Sequence, residues 1–160
     1  MKITYITGAT STGKTTYTNG ICNDEIIISL DALSKAIRFT FDDFKLYTTG
    51  KVSIRPTVNN DKFFHFVKTY INYLSIDYND KNIIVEGCHF TPKEFLSAFP
   101  NSKVIALGIT DKMTALNQIN ERDWMSKLEN NIKMEYVNQI VEYSKELKNE
   151  ANIEYIEFVN

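Results

Sequence analysis

The chain has 160 residues, 43% hydrophobic and 24% charged, with a formal net charge of −2. That is ordinary composition for one globular domain with a substantial core. It excludes a general electrostatic footprint for duplex nucleic acid or an anionic membrane surface, and no apolar run approaches the ~18 residues of a membrane-spanning helix. Two cysteines, Cys22 and Cys88, stand far apart and form neither a disulfide framework nor a metal-ligand spacing. With only His65 and His89 beside them, no structural zinc site is expected. The first residues enter a strand directly with no signal-peptide pattern, so a reduced, cytoplasmic setting is expected.

In chain order, Lys2–Thr7 reads as the first strand, and Gly8-Ala9-Thr10-Ser11-Thr12-Gly13-Lys14-Thr15 follows it. This segment fits the phosphate-binding pattern G-x-x-x-x-G-K-[ST] and opens into a helical Lys14–Cys22, with Thr16 in its first turn. The spacing has a physical reason. Glycines let the backbone wrap a polyphosphate with its N–H groups inward. The helix start adds the positive end of its dipole. Lys14 would reach the β- and γ-phosphates, and the Thr15 hydroxyl would position Mg²⁺. Without an anion, a lysine at a helix start meets the wrong end of the dipole. ATP, or GTP, with Mg²⁺ is therefore the expected ligand.

Glu25–Leu30 reads as the second strand and ends at Asp31. The spacing admits two roles for Asp31: an N-cap of the following helix, or a carboxylate facing the phosphate crevice that takes a proton from an acceptor hydroxyl. Arg38, two turns on, has a fork suited to a phosphate or a carboxylate. The stretch 41–58, with Gly50 and Pro56, fits the strand–helix alternation poorly and is read as a substrate cap. Lys45, Lys51 and Arg55 outnumber Asp42 and Asp43 around it, which points to an anionic acceptor.

Asn59–Asp77 carries Phe63, Phe66, Val67, Tyr70, Ile71 and Leu74 at helical spacing, with Asn59 or Asn60 as candidate cap. Asn82–Glu86 is the third strand. It ends in Glu86, a position where phosphate-loop enzymes place an acid for Mg²⁺, directly or through water, or for the substrate. His89 is read first as a structural histidine, with substrate contact as the alternative; His65 is read as packing or surface. Lys103–Ile109 is the fourth strand. The stretch 111–131 is polar and partly helical and is read as a lid. Its single arginine, Arg122, would close over the transferring phosphoryl group, with Lys112 and Lys127 as weaker candidates. Trp124 is read as packing the lid rather than stacking on a base. Ile132–Lys148 is a helix with a Val137, Ile140, Val141, Leu147 stripe, and Ile153–Phe158 is the fifth strand. Continuous apolar strands alternating with helices imply a doubly wound α/β protein with a parallel sheet buried on both faces.

Three segments, Gly8–Thr15, Ile28-Ser29-Leu30-Asp31 with Ile37-Arg38, and Ile83-Ile84-Val85-Glu86-Gly87-Cys88-His89-Phe90, together resemble small P-loop kinases of the nucleoside-monophosphate-kinase-like group. The nearest likeness is to the 2-phosphoglycerate-kinase-like, chloramphenicol-phosphotransferase-like and zeta-toxin-like branches. The resemblance implies a three-layer α/β/α fold with five parallel strands in the order 2-3-1-4-5, and Asp31 as general base. Two departures stand out. Ser34 occupies a position where the 2-phosphoglycerate kinase group usually has arginine, and the lid has one arginine where many relatives have several. The expectation is a cytoplasmic Mg·ATP phosphotransferase acting on a hydroxyl of a small anionic molecule. Lys14, Asp31 and Arg122 would be catalytic, and Asp31, Arg38, Arg55, Glu86 and His89 would line the acceptor side. The alternatives are a 5′-hydroxyl polynucleotide kinase and a nucleotide-binding switch without acceptor chemistry.

Overall fold

A computed structural model describes residues 1–46 and 53–159. Along the chain run β1 (Ile3–Thr7), α1 (Lys14–Ile21), β2 (Ile26–Ser29), α2 (Leu30–Thr40), α3 (Asn60–Asp77), β3 (Ile83–Glu86), α4 (Pro92–Ala98), β4 (Lys103–Gly108), α5 (Lys112–Asn120), α6 (Asp123–Ser126), α7 (Asn130–Lys148) and β5 (Glu154–Glu157). The strands form one parallel sheet in the order β2-β3-β1-β4-β5, with helices on both sides. Every strand therefore ends at the same edge, where the β1–α1, β2–α2 and β3–α4 connections gather.

Alternate residues of a strand face opposite sides. Tyr5, Ile28, Val85 and Val104 point into the larger core with Leu30 and Ile37 of α2, Phe63, Val67 and Ile71 of α3, and Phe95 of α4. Ile6, Ile84, Ile105 and Leu107 form the opposite, thinner cluster, against which Tyr17 of α1 packs. A third cluster joins Ala9 and Ile109 to Ala115, Ile119, Met125 and the Val137/Ile140/Val141 stripe of α7. Phe63 is fully buried, and truncating such a side chain to alanine costs about 3–5 kcal/mol.

The structure corrects three local expectations. β3 is buried on both faces, but β2 is an edge strand and leaves Ile27 exposed. The apolar face of α3 is narrower than its sequence stripe, because Phe66 and Tyr70 reach solvent while Phe63, Val67 and Ile71 are buried. Asn59 holds the N-cap position of α3 without a side-chain cap; its amide Nδ2 donates instead to the Lys45 carbonyl at 2.6 Å. Gly50 and Lys51, expected in the cap segment, lie outside the described residues.

Candidate functional site

The β1–α1 loop is locked by its own backbone. Gly8 has φ 142°, and a Cβ there would stand 2.1 Å from the Leu107 carbonyl oxygen on neighbouring β4, so only glycine fits. Thr12 Oγ1 donates to the Ala9 carbonyl at 2.9 Å, and Ser11 sits at φ 64°. Among the described residues no side chain caps α1, whose N-cap is Gly13 in the left-handed region. The first N–H groups of that helix are thus left for an anion rather than a cap. Lys14 is buried, and its Nζ donates to the Ala9 carbonyl at 2.7 Å. Buried Glu86, at the end of β3, accepts from the Thr15 hydroxyl at 3.2 Å. Lys14, Thr15, Glu86, Asp31 and Arg122 all face one cavity of about 120 Å³, with Ser11, Gly13 and Thr16 completing the loop side.

Asp31 reaches that cavity from α2. The second strand ends one residue before Leu30, and Ser29 is the N-cap, its hydroxyl accepting from Ala32 N at 3.3 Å. Asp31 is therefore not the cap. It stands in the first turn, where the helix dipole favours a carboxylate, with an exposed side chain. Ser34 is buried one turn on, donating to the Asp31 carbonyl at 3.0 Å.

The turn after β3 is held from the core. Buried Tyr5 donates its hydroxyl to the carbonyls of Phe90 (2.8 Å) and Gly87 (3.2 Å), and Phe90 N donates back to the same oxygen at 3.3 Å. Gly87 has φ 155°, and a Cβ would press into the Leu30 side chain at 2.7 Å. This fixes Cys88 and His89 beside Asp31. His89 is 4% exposed, its ring 5.1 Å from that of Phe63, and its Nδ1 lies 3.8 Å from Asp31 Oδ1. Burial lowers its pKa to about 4, with the charges of Lys14 and Arg38 acting the same way and Asp31 opposing them; the imidazole is neutral at pH 7. His65 is exposed on α3.

A second cavity, of about 270 Å³, opens on the far side of Asp31. Its walls include Arg38, Arg55, His89, Trp124 and Tyr136, and it shares Thr10, Asp31 and Cys88 with the loop cavity. Arg38 comes from the last turn of α2. Arg55 is partly committed elsewhere: its guanidinium is 3.8 Å from Glu94 and lies over the Tyr143 ring at 5.7 Å. Trp124 departs from the packing reading. It is largely exposed on α6, edge-on to Tyr136 at 6.2 Å, in the cavity wall. The residue beside it that packs is Met125, fully buried and accepting from the Ser11 hydroxyl at 3.7 Å. Lys112 and Lys127 are exposed and line none of these cavities.

Sequence reasoning missed a third cavity, of about 610 Å³, on the other side of the loop. It shares Gly13 and Thr16 with the loop cavity and adds Tyr17, Gln118, Glu121 and Phe158. The only sequence signal was an aromatic at each end of the chain, Tyr17 and Phe158, which strand and helix patterning absorbed. The loop cavity thus shares lining residues with each of the other two, Gly13 and Thr16 with one and Thr10, Asp31 and Cys88 with the other.

No protein-family model matches the chain, and no curated protein matches it. Solved structures do. A shikimate kinase from Acinetobacter baumannii in complex with shikimate aligns with TM-score 0.62 at 16% identity, over 100% of this chain and 85% of that one. A tunicamycin resistance protein from Deinococcus radiodurans gives TM-score 0.62 at 13% identity, over 98% and 85%. A gluconokinase from Sinorhizobium meliloti 1021 gives TM-score 0.61 at 10% identity, over 99% and 83%. The chain has the fold of the P-loop kinases, a parallel sheet in the order β2-β3-β1-β4-β5 with helices on both sides.

Proposed function

We propose that the chain is a Mg·ATP-dependent kinase that phosphorylates a hydroxyl of a small anionic molecule. One observation carries the reading: Asp31 stands in the wall of both the Lys14 cavity and the Arg38 cavity. In that reading the nucleoside occupies the Tyr17/Phe158 cavity and the phosphates run past Gly13 to Lys14. Thr15 and Glu86 supply the oxygen donors that Mg²⁺ prefers. The ion, when bound, screens charge on the β- and γ-phosphates. The acceptor enters from the other side, its anionic group against Arg38 and Arg55 and its ring or chain against Trp124 and Tyr136.

Asp31 takes the proton of the acceptor hydroxyl as that oxygen bonds to the γ-phosphorus. The bond from the γ-phosphorus to the bridging oxygen breaks, and the nucleoside diphosphate leaves with that oxygen. Lys14 and Arg122 hold the equatorial and leaving oxygens, so their positive charge meets the negative charge that develops there. Neutral His89 orients the acceptor without adding a charge to the site. The names of the structural neighbours, a gluconokinase and a shikimate kinase among them, support kinase chemistry on this fold.

The test has two parts. Mg·ATP at 100 times its dissociation constant should stabilise the protein by about 2.7 kcal/mol, read as a thermal shift that Lys14→Ala abolishes. A mass-spectrometric metabolite screen should then find an acceptor phosphorylated by the wild type. On that acceptor Asp31→Asn should slow transfer by about 10²–10⁴-fold with the thermal shift intact. If no nucleoside triphosphate shifts the melting temperature, the reading fails at its first step.

A further inference from the structure

Asp31, Cys88 and His89 come from two separate segments, and one donor atom of each lies within 4.8 Å of the others. His89 Nδ1 is buried and has no hydrogen-bond partner among the described residues. A buried polar atom left that way is costly and calls for an explanation. Asp31 does not supply one, because 3.8 Å is too long for a hydrogen bond. It is close, however, to the spacing of two ligands on one tetrahedral zinc: bonds of about 2.0–2.1 Å at the tetrahedral angle put nitrogen and oxygen about 3.4 Å apart.

We propose that Asp31 carboxylate, Cys88 Sγ and His89 Nδ1 bind one zinc-class divalent cation, leaving a fourth position open to the Arg38 cavity. The donor types decide the metal. A thiolate with an imidazole selects borderline-soft ions such as Zn²⁺ over Mg²⁺, and three protein ligands are the pattern of an open site rather than a closed structural one. The ligands are held before the metal arrives. Cys88 and His89 ride on the turn that the Tyr5 hydroxyl ties down, and Asp31 is fixed in the first turn of α2. Exposed Asp31 gives the ion its entry path. The positive charges of Lys14 and Arg38 act on the same ground, so binding is expected to be weaker than in a closed four-ligand zinc site. The site is distinct from the Thr15/Glu86 pair, which offers only oxygen. If the kinase reading also holds, zinc here occupies the carboxylate that the acceptor needs.

Co²⁺ is the probe, because a cobalt–thiolate bond gives a near-ultraviolet charge-transfer band and a tetrahedral site an intense visible spectrum. Full-length Cys22→Ser protein, in buffer with Mg²⁺, should take up one equivalent of Co²⁺ with both signatures, and Zn²⁺ should displace it. Adding Cys88→Ser should abolish the charge-transfer band, and adding Asp31→Asn should weaken uptake at least about tenfold, with circular dichroism and melting unchanged. Should Cys88→Ser prove unfolded, Asp31→Asn, on an exposed side chain, carries the test alone. Absence of stoichiometric uptake, or uptake indifferent to both substitutions, overturns the proposal. None of these readouts involves nucleotide, so failure here and failure of the kinase reading are separately visible.

Discussion

The two sides of Asp31 are built differently. On the loop side, most of the groups that face the cavity come from the short stretch Thr10–Thr16, joined by Glu86 at the end of a buried strand, Cys88 and Arg122. Their positions are set by backbone: a glycine that admits no Cβ, a lysine folded onto a main-chain carbonyl, a helix start without a cap. On the Arg38 side, the walls come from α2, the segment after residue 52, the β3–α4 turn, α6 and α7, and the charged and aromatic groups Asp31, Lys35, Arg38 and Trp124 among them are exposed side chains. A site made of main chain has its geometry dictated by the fold. A site made of side-chain tips can change without disturbing it. The first suits a ligand every member of a fold must bind, and the second a ligand that differs from one member to the next.

The contrast breaks most visibly at Gly8. Gly8→Ala should cost about 3 kcal/mol, from strain at positive φ and overlap with Leu107, read as a lower urea midpoint, and should remove the nucleotide-induced thermal shift. A well-folded, nucleotide-binding Gly8→Ala protein would show that the loop side is not backbone-dictated. On the other side, Arg38→Ala should leave stability within about 0.5 kcal/mol and nucleotide affinity unchanged. It should raise the KM for the acceptor about 10–100-fold, the worth of one charged hydrogen bond. An effect on nucleotide binding would mean that the two sides are not separable.

The smallest effect sharpens the comparison through pH. Glu157, in the wall of the Tyr17/Phe158 cavity, accepts from Thr110 N at 2.6 Å, the Thr110 hydroxyl at 2.8 Å and the Tyr155 hydroxyl at 2.8 Å. Burial would raise its pKa, but the Thr110 and Tyr155 bonds and the nearby Lys148 outweigh it, and the net shift is downward. A depressed carboxyl pKa gives stability that is complete above the unfolded value of about 4.3 and lost as pH falls through the folded value. Wild type should therefore lose more melting temperature between pH 7 and pH 3 than Glu157→Gln does. Equal losses would show that the ionised carboxylate is not part of the frame around the Tyr17/Phe158 cavity.

The same division explains what the sequence discloses. The loop is contiguous and its residues are of the few types the geometry tolerates, so Gly8–Thr15 is readable as a string. The strands are readable as apolar runs because a parallel sheet buries both faces, and the reading slips where that reason lapses, at edge residue Ile27. Asp31 was legible as a residue but not in its local role, because Ser29 takes the cap and helix begins before the strand pattern ends. One element was readable and went unread: Thr91-Pro92-Lys93-Glu94 is a capping box with proline at the helix start, and α4 begins there. Cys88 gave no signal, since its neighbour Asp31 is supplied by a different βα connection. Trp124 and Phe158 face cavities formed only when α6 and β5 come to the loop, which no local pattern encodes.

The Tyr5 hydroxyl has a mechanical consequence. It is fully buried in the middle of the first strand, yet its bonds end on the turn that carries Cys88 and His89. Strand and turn are thus tied side chain to main chain, across more than eighty residues of sequence. A ligand that binds this turn is thereby held against the central strand of the sheet through a single buried hydroxyl.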